Sequence, residues 1–236
     1  MGLCVSKSSA SDFMSAGVGD AAGSSGVSGN GKSWSDMVSN IRNPDDDSRV
    51  AALINMIGMI YDASKTLRER MNIIDREGGV ALRIVPDGDI QHSFGHAETL
   101  IPQREAVIAQ STAQNVKGGH FRPLNIMLVE LTNMSRANDF QRVMTKFDQG
   151  YCGVERAAHD LEQVEYQTTL NMGQYYKEAR SVIQHLDYGT PSLWYLQANG
   201  DAYYPTFEHY FRNMCDSGHT DAYRNNLQRT MNERSA

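Results

Sequence analysis

Residues 8 to 34 are dominated by serine, glycine and alanine, including Ser8-Ser9-Ala10-Ser11 and Gly23-Ser24-Ser25-Gly26-Val27-Ser28-Gly29-Asn30-Gly31. A segment of this composition cannot bury enough apolar surface to offset the entropy of ordering it, so it reads as a flexible tether. The division that follows is a disordered leader over 1–40 and a single α+β domain over 41–236. The expected fold is long helices packed on a small mixed sheet. The chain has 236 residues, so without its leader it is about one ordinary domain.

The leader starts Met1-Gly2-Leu3-Cys4-Val5-Ser6-Lys7, which fits the pattern for N-myristoylation with a cysteine beside the acceptor glycine. One myristoyl chain binds a membrane only marginally, so a second signal is needed. Lys7 and Lys32 are the only basic residues before Arg42, too few to hold an anionic leaflet by charge. The second signal is therefore palmitate on Cys4, and the lipidation sites are Gly2 and Cys4.

A net charge of −6 without a basic block argues against nucleic acid as a partner. With 40% apolar and 21% charged residues the composition is that of a globular protein. No run approaches the length of a membrane-spanning helix, and no apolar core of the secretory-signal kind is present. Three cysteines, one of them a lipid acceptor, cannot build a disulfide framework.

Along the domain, order is expected from Trp34, and Asn43-Pro44-Asp45-Asp46-Asp47-Ser48 reads as a helix start. Val50, Leu53, Ile54, Ile57, Ile60, Tyr61, Leu67 and Met71 mark one helical face over about 46–74. Val80–Val85 is a strand, stopped by Pro86-Asp87-Gly88-Asp89. Glu105–Ala109 is open between strand and helix. His120–Leu131 reads as strand, with Pro123 bending its first part. Val154–Leu186 carries helical periodicity with a potential break at Gly173, and the aromatic stretch from Trp194 to Phe211 reads first as core.

Chemistry concentrates at Cys152, which lies just before the long helix. A thiol at a helix N-terminus feels the positive end of the helix dipole, which favours thiolate. His120 would be its general base and Glu130 the orienting acid. The alternative fate for Cys152 is a small buried hydrophobe. His92, His96 and Glu98 have the spacing of a metal pair, but Gly95 and the missing HExxH pattern favour solvated loop histidines, so no metal is assigned.

Gly118-Gly119-His120-Phe121, Leu128-Val129-Glu130 and Cys152-Gly153-Val154, in that order, resemble the YopJ family of type III secretion effectors, acetyltransferases on a cysteine-protease-like fold. The Gly2/Cys4 start resembles acylated effectors of plant-pathogenic bacteria. The resemblance implies catalytic Cys152, His120 and Glu130, acetyl-CoA as cofactor, secretion by a bacterium into a host cell, and action at the cytoplasmic face of the host plasma membrane on a host protein. The segment from His120 to Cys152 is shorter than in that family, and its basic clusters for acyl-CoA and inositol phosphate have no counterpart here. Two readings stay open: a membrane-anchored virulence effector with thiol acyltransferase or protease chemistry, and a non-catalytic acylated effector or adaptor that binds a host membrane-associated protein.

Overall fold

The computed structural model of the chain describes residues 2–4, 32–90, 96–114 and 122–235. Most of the serine/glycine tether, His92 and His120 lie outside the described residues. The fold is α+β, with long helices on a small mixed sheet. In chain order the elements are β1 (Gly2–Cys4), α1 (Trp34–Met37), β2 (Ile41–Arg42), α2 (Ser48–Ala63), α3 (Lys65–Arg76), β3 (Val80–Val85), β4 (Ala97–Leu100), β5 (Glu105–Ala109), α4 (Gln110–Gln114), α5 (Pro123–Met134), α6 (Ala137–Asp148), α7 (Val154–Glu178), α8 (Arg180–His185), α9 (Phe207–Asp216) and α10 (His219–Ser235). The sheet order is β1-β4-β5-β3-β2, with β3 parallel to β2 and β5, and β4 antiparallel to β5 and β1. No described helix is long and apolar enough to cross a membrane.

The folded unit begins ahead of residue 41. Met37 is buried, and the Trp34 ring packs on Tyr61 at 5.2 Å between centroids. Gly58 on α2 makes room for that indole, because a Cβ there would meet Trp34 Nε1 at 2.3 Å. Gly58→Ala is therefore expected to destabilise the protein by about 1–3 kcal/mol, the usual cost of overpacking, which outweighs the roughly 1 kcal/mol that alanine gains over glycine in a helix. Chemical denaturation measures it. In a Trp34→Ala background the same substitution should turn neutral or stabilising.

The helix expected over 46–74 is two helices. Ser64 adopts an extended backbone, and its side chain caps α3 by accepting from the Leu67 amide at 3.1 Å. Glu178, from the end of α7, accepts from Ser64 Oγ at 2.6 Å, from the Thr66 amide at 2.9 Å and from Thr66 Oγ1 at 2.8 Å. The periodic stripe survives the corner because both helices bury it against the same core.

The sheet ends earlier than the sequence suggests. Glu105–Ala109 is a strand, but the segment read as strand at His120–Leu131 is helical from Pro123. Pro123 takes the first helical turn, where its missing N–H costs nothing, and Asn125 Oδ1 accepts from the Arg122 amide at 3.1 Å. All of α5 is buried, against β4 and β5 on one side and α2 and α7 on the others. A continuous apolar run of this length fits a buried strand or a buried helix equally by periodicity, which is why the sequence misreads it.

Helix α7 runs through Gly173 without a break and ends at Glu178, with Ala179 as its C-cap. Gly173 instead allows close packing, since a Cβ there would touch Leu196 Cδ2 at 3.0 Å. Trp194, Tyr204 and Tyr210 are fully buried, so much of the C-terminal aromatic stretch is core.

Candidate carboxylate and histidine centre

A row of polar side chains runs through the interior where α5 and α7 pack together beneath β4. Thr99 comes from β4, Glu130 and Asn133 from α5, Glu162, Glu165 and Thr168 from α7, and His219 and Thr220 from α10; all are buried. Glu162 and Glu165 stand one helical turn apart, so both point to the same side of α7. Gly218, with φ of 78°, turns the chain sharply between α9 and α10 and delivers His219 to the interior.

Glu162 is the hub of the row. Its Oε1 accepts from Thr220 Oγ1 at 2.7 Å and lies 2.9 Å from His219 Nδ1, while its Oε2 accepts from Tyr210 Oη at 3.2 Å. The other imidazole nitrogen, Nε2, lies 3.9 Å from Glu165 Oε2. Glu165 Oε1 accepts from Tyr223 Oη at 2.5 Å. Glu130 accepts from Thr99 Oγ1 through Oε2, and its Oε1 has no hydrogen-bond partner among the described residues.

Burial sets the proton affinities. The Glu165 carboxyl is pushed up to about 7 by burial and by the like charge of Glu162, against the opposing pull of His219 and the Tyr223 hydroxyl. Glu130 is raised well above the usual carboxylate range, again by burial first, with Glu165 and Glu98 adding to it and the Thr99 bond and His219 opposing. The centre thus holds two carboxyls that burial biases toward the neutral acid. Such perturbed groups cluster at functional sites, and they cost stability elsewhere.

The sequence-predicted site residues fall as follows. Glu130 is not at the end of a strand but in the middle of buried α5, within the electrostatic field of Glu165 and His219. Cys152 precedes Gly153, the N-cap of α7, and lies half-buried against a separate apolar cluster of Phe140, Phe147, Ala157, Ala158, Leu161, Tyr223 and Leu227. His120 lies outside the described residues. Of the weighed histidine pair, His96 is half-buried with Nδ1 3.0 Å from Thr112 Oγ1, and Glu98 is buried on the face of β4 opposite Thr99. Gly2 and Cys4 lie in β1, with Gly2 opposite Leu100 and Cys4 opposite Glu98.

Sequence reading missed Glu162, Glu165 and His219. On α7 the apolar Leu170 is 38% exposed while the two carboxylates are inside. The signal was present: Ala158, Leu161, Glu162, Glu165, Thr168, Thr169 and Met172 keep helical spacing once polar residues are allowed in the stripe.

An apolar cavity of about 200 Å³ opens beside the centre, lined in part by Ile101, Phe140, Met144, Leu161, Tyr223 and Leu227. Tyr223 is shared, with its ring on the cavity and its hydroxyl on Glu165. The fold and this centre together define an α+β protein with an interior carboxylate and histidine site. No family model matches the chain, and neither a curated protein nor a solved structure shows significant similarity to it.

Proposed function

We propose that the chain is a membrane-anchored effector, acylated on Gly2 and Cys4 and delivered by a bacterium into a host cell, that binds a host membrane-associated protein at the cytoplasmic face of the plasma membrane. The anchor rests on the Met1-Gly2-Leu3-Cys4-Val5-Ser6 start and the near absence of basic residues beside it. Binding is preferred over thiol chemistry on one observation, the environment of Glu130. A Cys152-centred transferase using acetyl-CoA needs a carboxylate that stays ionised to orient its histidine. Glu130 is fully buried, held by Thr99, and its carboxyl is pushed toward the neutral acid.

Fractionation of the full-length protein expressed in a eukaryotic cell tests the anchor. Wild type is expected in the membrane pellet, Gly2→Ala in the supernatant, and Cys4→Ser divided between them, because a single myristoyl chain gives only about 10⁴ M⁻¹ of membrane affinity. A Gly2→Ala protein that stays in the pellet would sink the acylation reading. The thiol alternative is tested separately by Cys152→Ser, which should leave the host phenotype intact.

A further inference from the structure

We propose that the apolar cavity beside the carboxylate centre is a binding site for a saturated acyl chain, and that its occupant is the protein's own myristoyl group on Gly2. The inference rests on acylation of Gly2 and adds where the lipid goes when the protein is away from a membrane.

The register of the edge strand carries it. β1 runs antiparallel to β4, with Gly2 opposite Leu100, Leu3 opposite Thr99 and Cys4 opposite Glu98. In an antiparallel pair a step back from Gly2 matches a step forward from Leu100, so a group on the Gly2 nitrogen is directed toward Ile101. Ile101 and Pro102 line the cavity, together with Phe140, Met144, Leu161 and Leu227. The amide-linked lipid therefore starts beside the cavity wall, with no length of polypeptide between them. Cys4 lies at the other end of β1, farther from Ile101, so the Gly2 lipid is the better placed of the two.

Size and charge agree with this occupant. An apolar cavity of about 150 Å³ can hold a benzene ring, so about 200 Å³ takes roughly eight carbons of an acyl chain, the rest lying along Ile101 and Pro102. Asp148, the charged residue of the lining, would repel the carboxylate of a free fatty acid, and its partner Arg234 is already engaged at 2.6 Å. An amide-linked chain carries no such charge.

Occupancy and strand pairing are linked. β1 has three residues at the edge of the sheet, a length that backbone hydrogen bonds alone hold weakly. Each CH₂ buried in the cavity adds to that hold. Insertion of the same lipid into a membrane requires β1 to leave β4, so the sheet-bound and membrane-bound states exclude each other.

The test uses full-length protein made in a bacterium with and without a co-expressed N-myristoyltransferase, with intact mass reporting acylation. Acylated wild type should bind neutral phosphatidylcholine vesicles at least tenfold more weakly than acylated Met144→Glu, whose cavity rejects the lipid and whose affinity should approach the roughly 10⁴ M⁻¹ of a free myristoyl chain. A second measurement needs no variant: acylation should raise the thermal midpoint of wild type by several degrees, because the lipid is held by the folded state alone. Circular dichroism checks the fold of Met144→Glu. A missing mass increment would sink the acylation reading and this inference with it. Acylated wild type that binds vesicles as tightly as a free chain, or melts with the unacylated protein, would overturn the cavity assignment alone.

Discussion

Glu162→Ala is expected to lower the stability of the protein by about 3–5 kcal/mol, the cost of removing one partner from a buried charged network. The carboxylate engages the Thr220 hydroxyl, the Tyr210 hydroxyl and the His219 ring, and none of these can reach water once it is gone. Alanine also leaves a void between α7, α9 and α10. Glu162→Gln keeps an acceptor oxygen but turns an amide toward a donor, so its loss should be intermediate. Urea denaturation of the three proteins is the measurement. A Glu162→Ala protein within about 1 kcal/mol of wild type would mean that the row is far wetter than its burial implies.

The protein should lose stability as the pH rises from about 5 to about 8. A free glutamate titrates near 4.3, whereas Glu165 in the fold is pushed up to about 7. The folded state therefore holds this proton more tightly than the unfolded state. Its contribution is complete below about pH 4.3 and is lost as the pH rises through about 7. Glu130 is shifted in the same direction and adds to the slope. The groups around Glu165 are Glu162 on its own helix, His219 and Tyr223 from α10, and Glu130 from α5. Glu165→Gln should flatten the dependence by at most about 4 kcal/mol over that window. Thermal midpoints across the pH range, compared between the two proteins, decide it. Parallel curves would show that Glu165 ionises freely.

These effects arise in the part of the molecule that the sequence revealed least. Fold class, the strands at Val80–Val85 and Glu105–Ala109, and the start of the long helix near Val154 follow from patterns that local physics makes readable. The reading failed where burial is complete. In α5 every residue is inside, so neither a period of two nor one of 3.6 leaves a mark, and Pro123, which reads as a strand bend, opens a helix. In α7 the apolar positions Ala157, Ala158, Leu161 and Tyr175 mark the buried side, but a rule that sends charge to water leaves out the carboxylates that share it. His219 is separated from Glu162 by 57 residues, and its approach depends on the turn at Gly218. Only the assembled chain brings those side chains together.

The corner at Ser64 bears on the order in which the chain assembles. Its cap is completed by Glu178, 114 positions further along the chain. Local sequence can start α2 and α3, but the elbow between them stays unfinished until the far end of α7 closes the longest of these loops, a step with a large chain-entropy cost. The two N-terminal helices are thus not an autonomous hairpin: the last turn of α7 serves as the latch that fixes their angle.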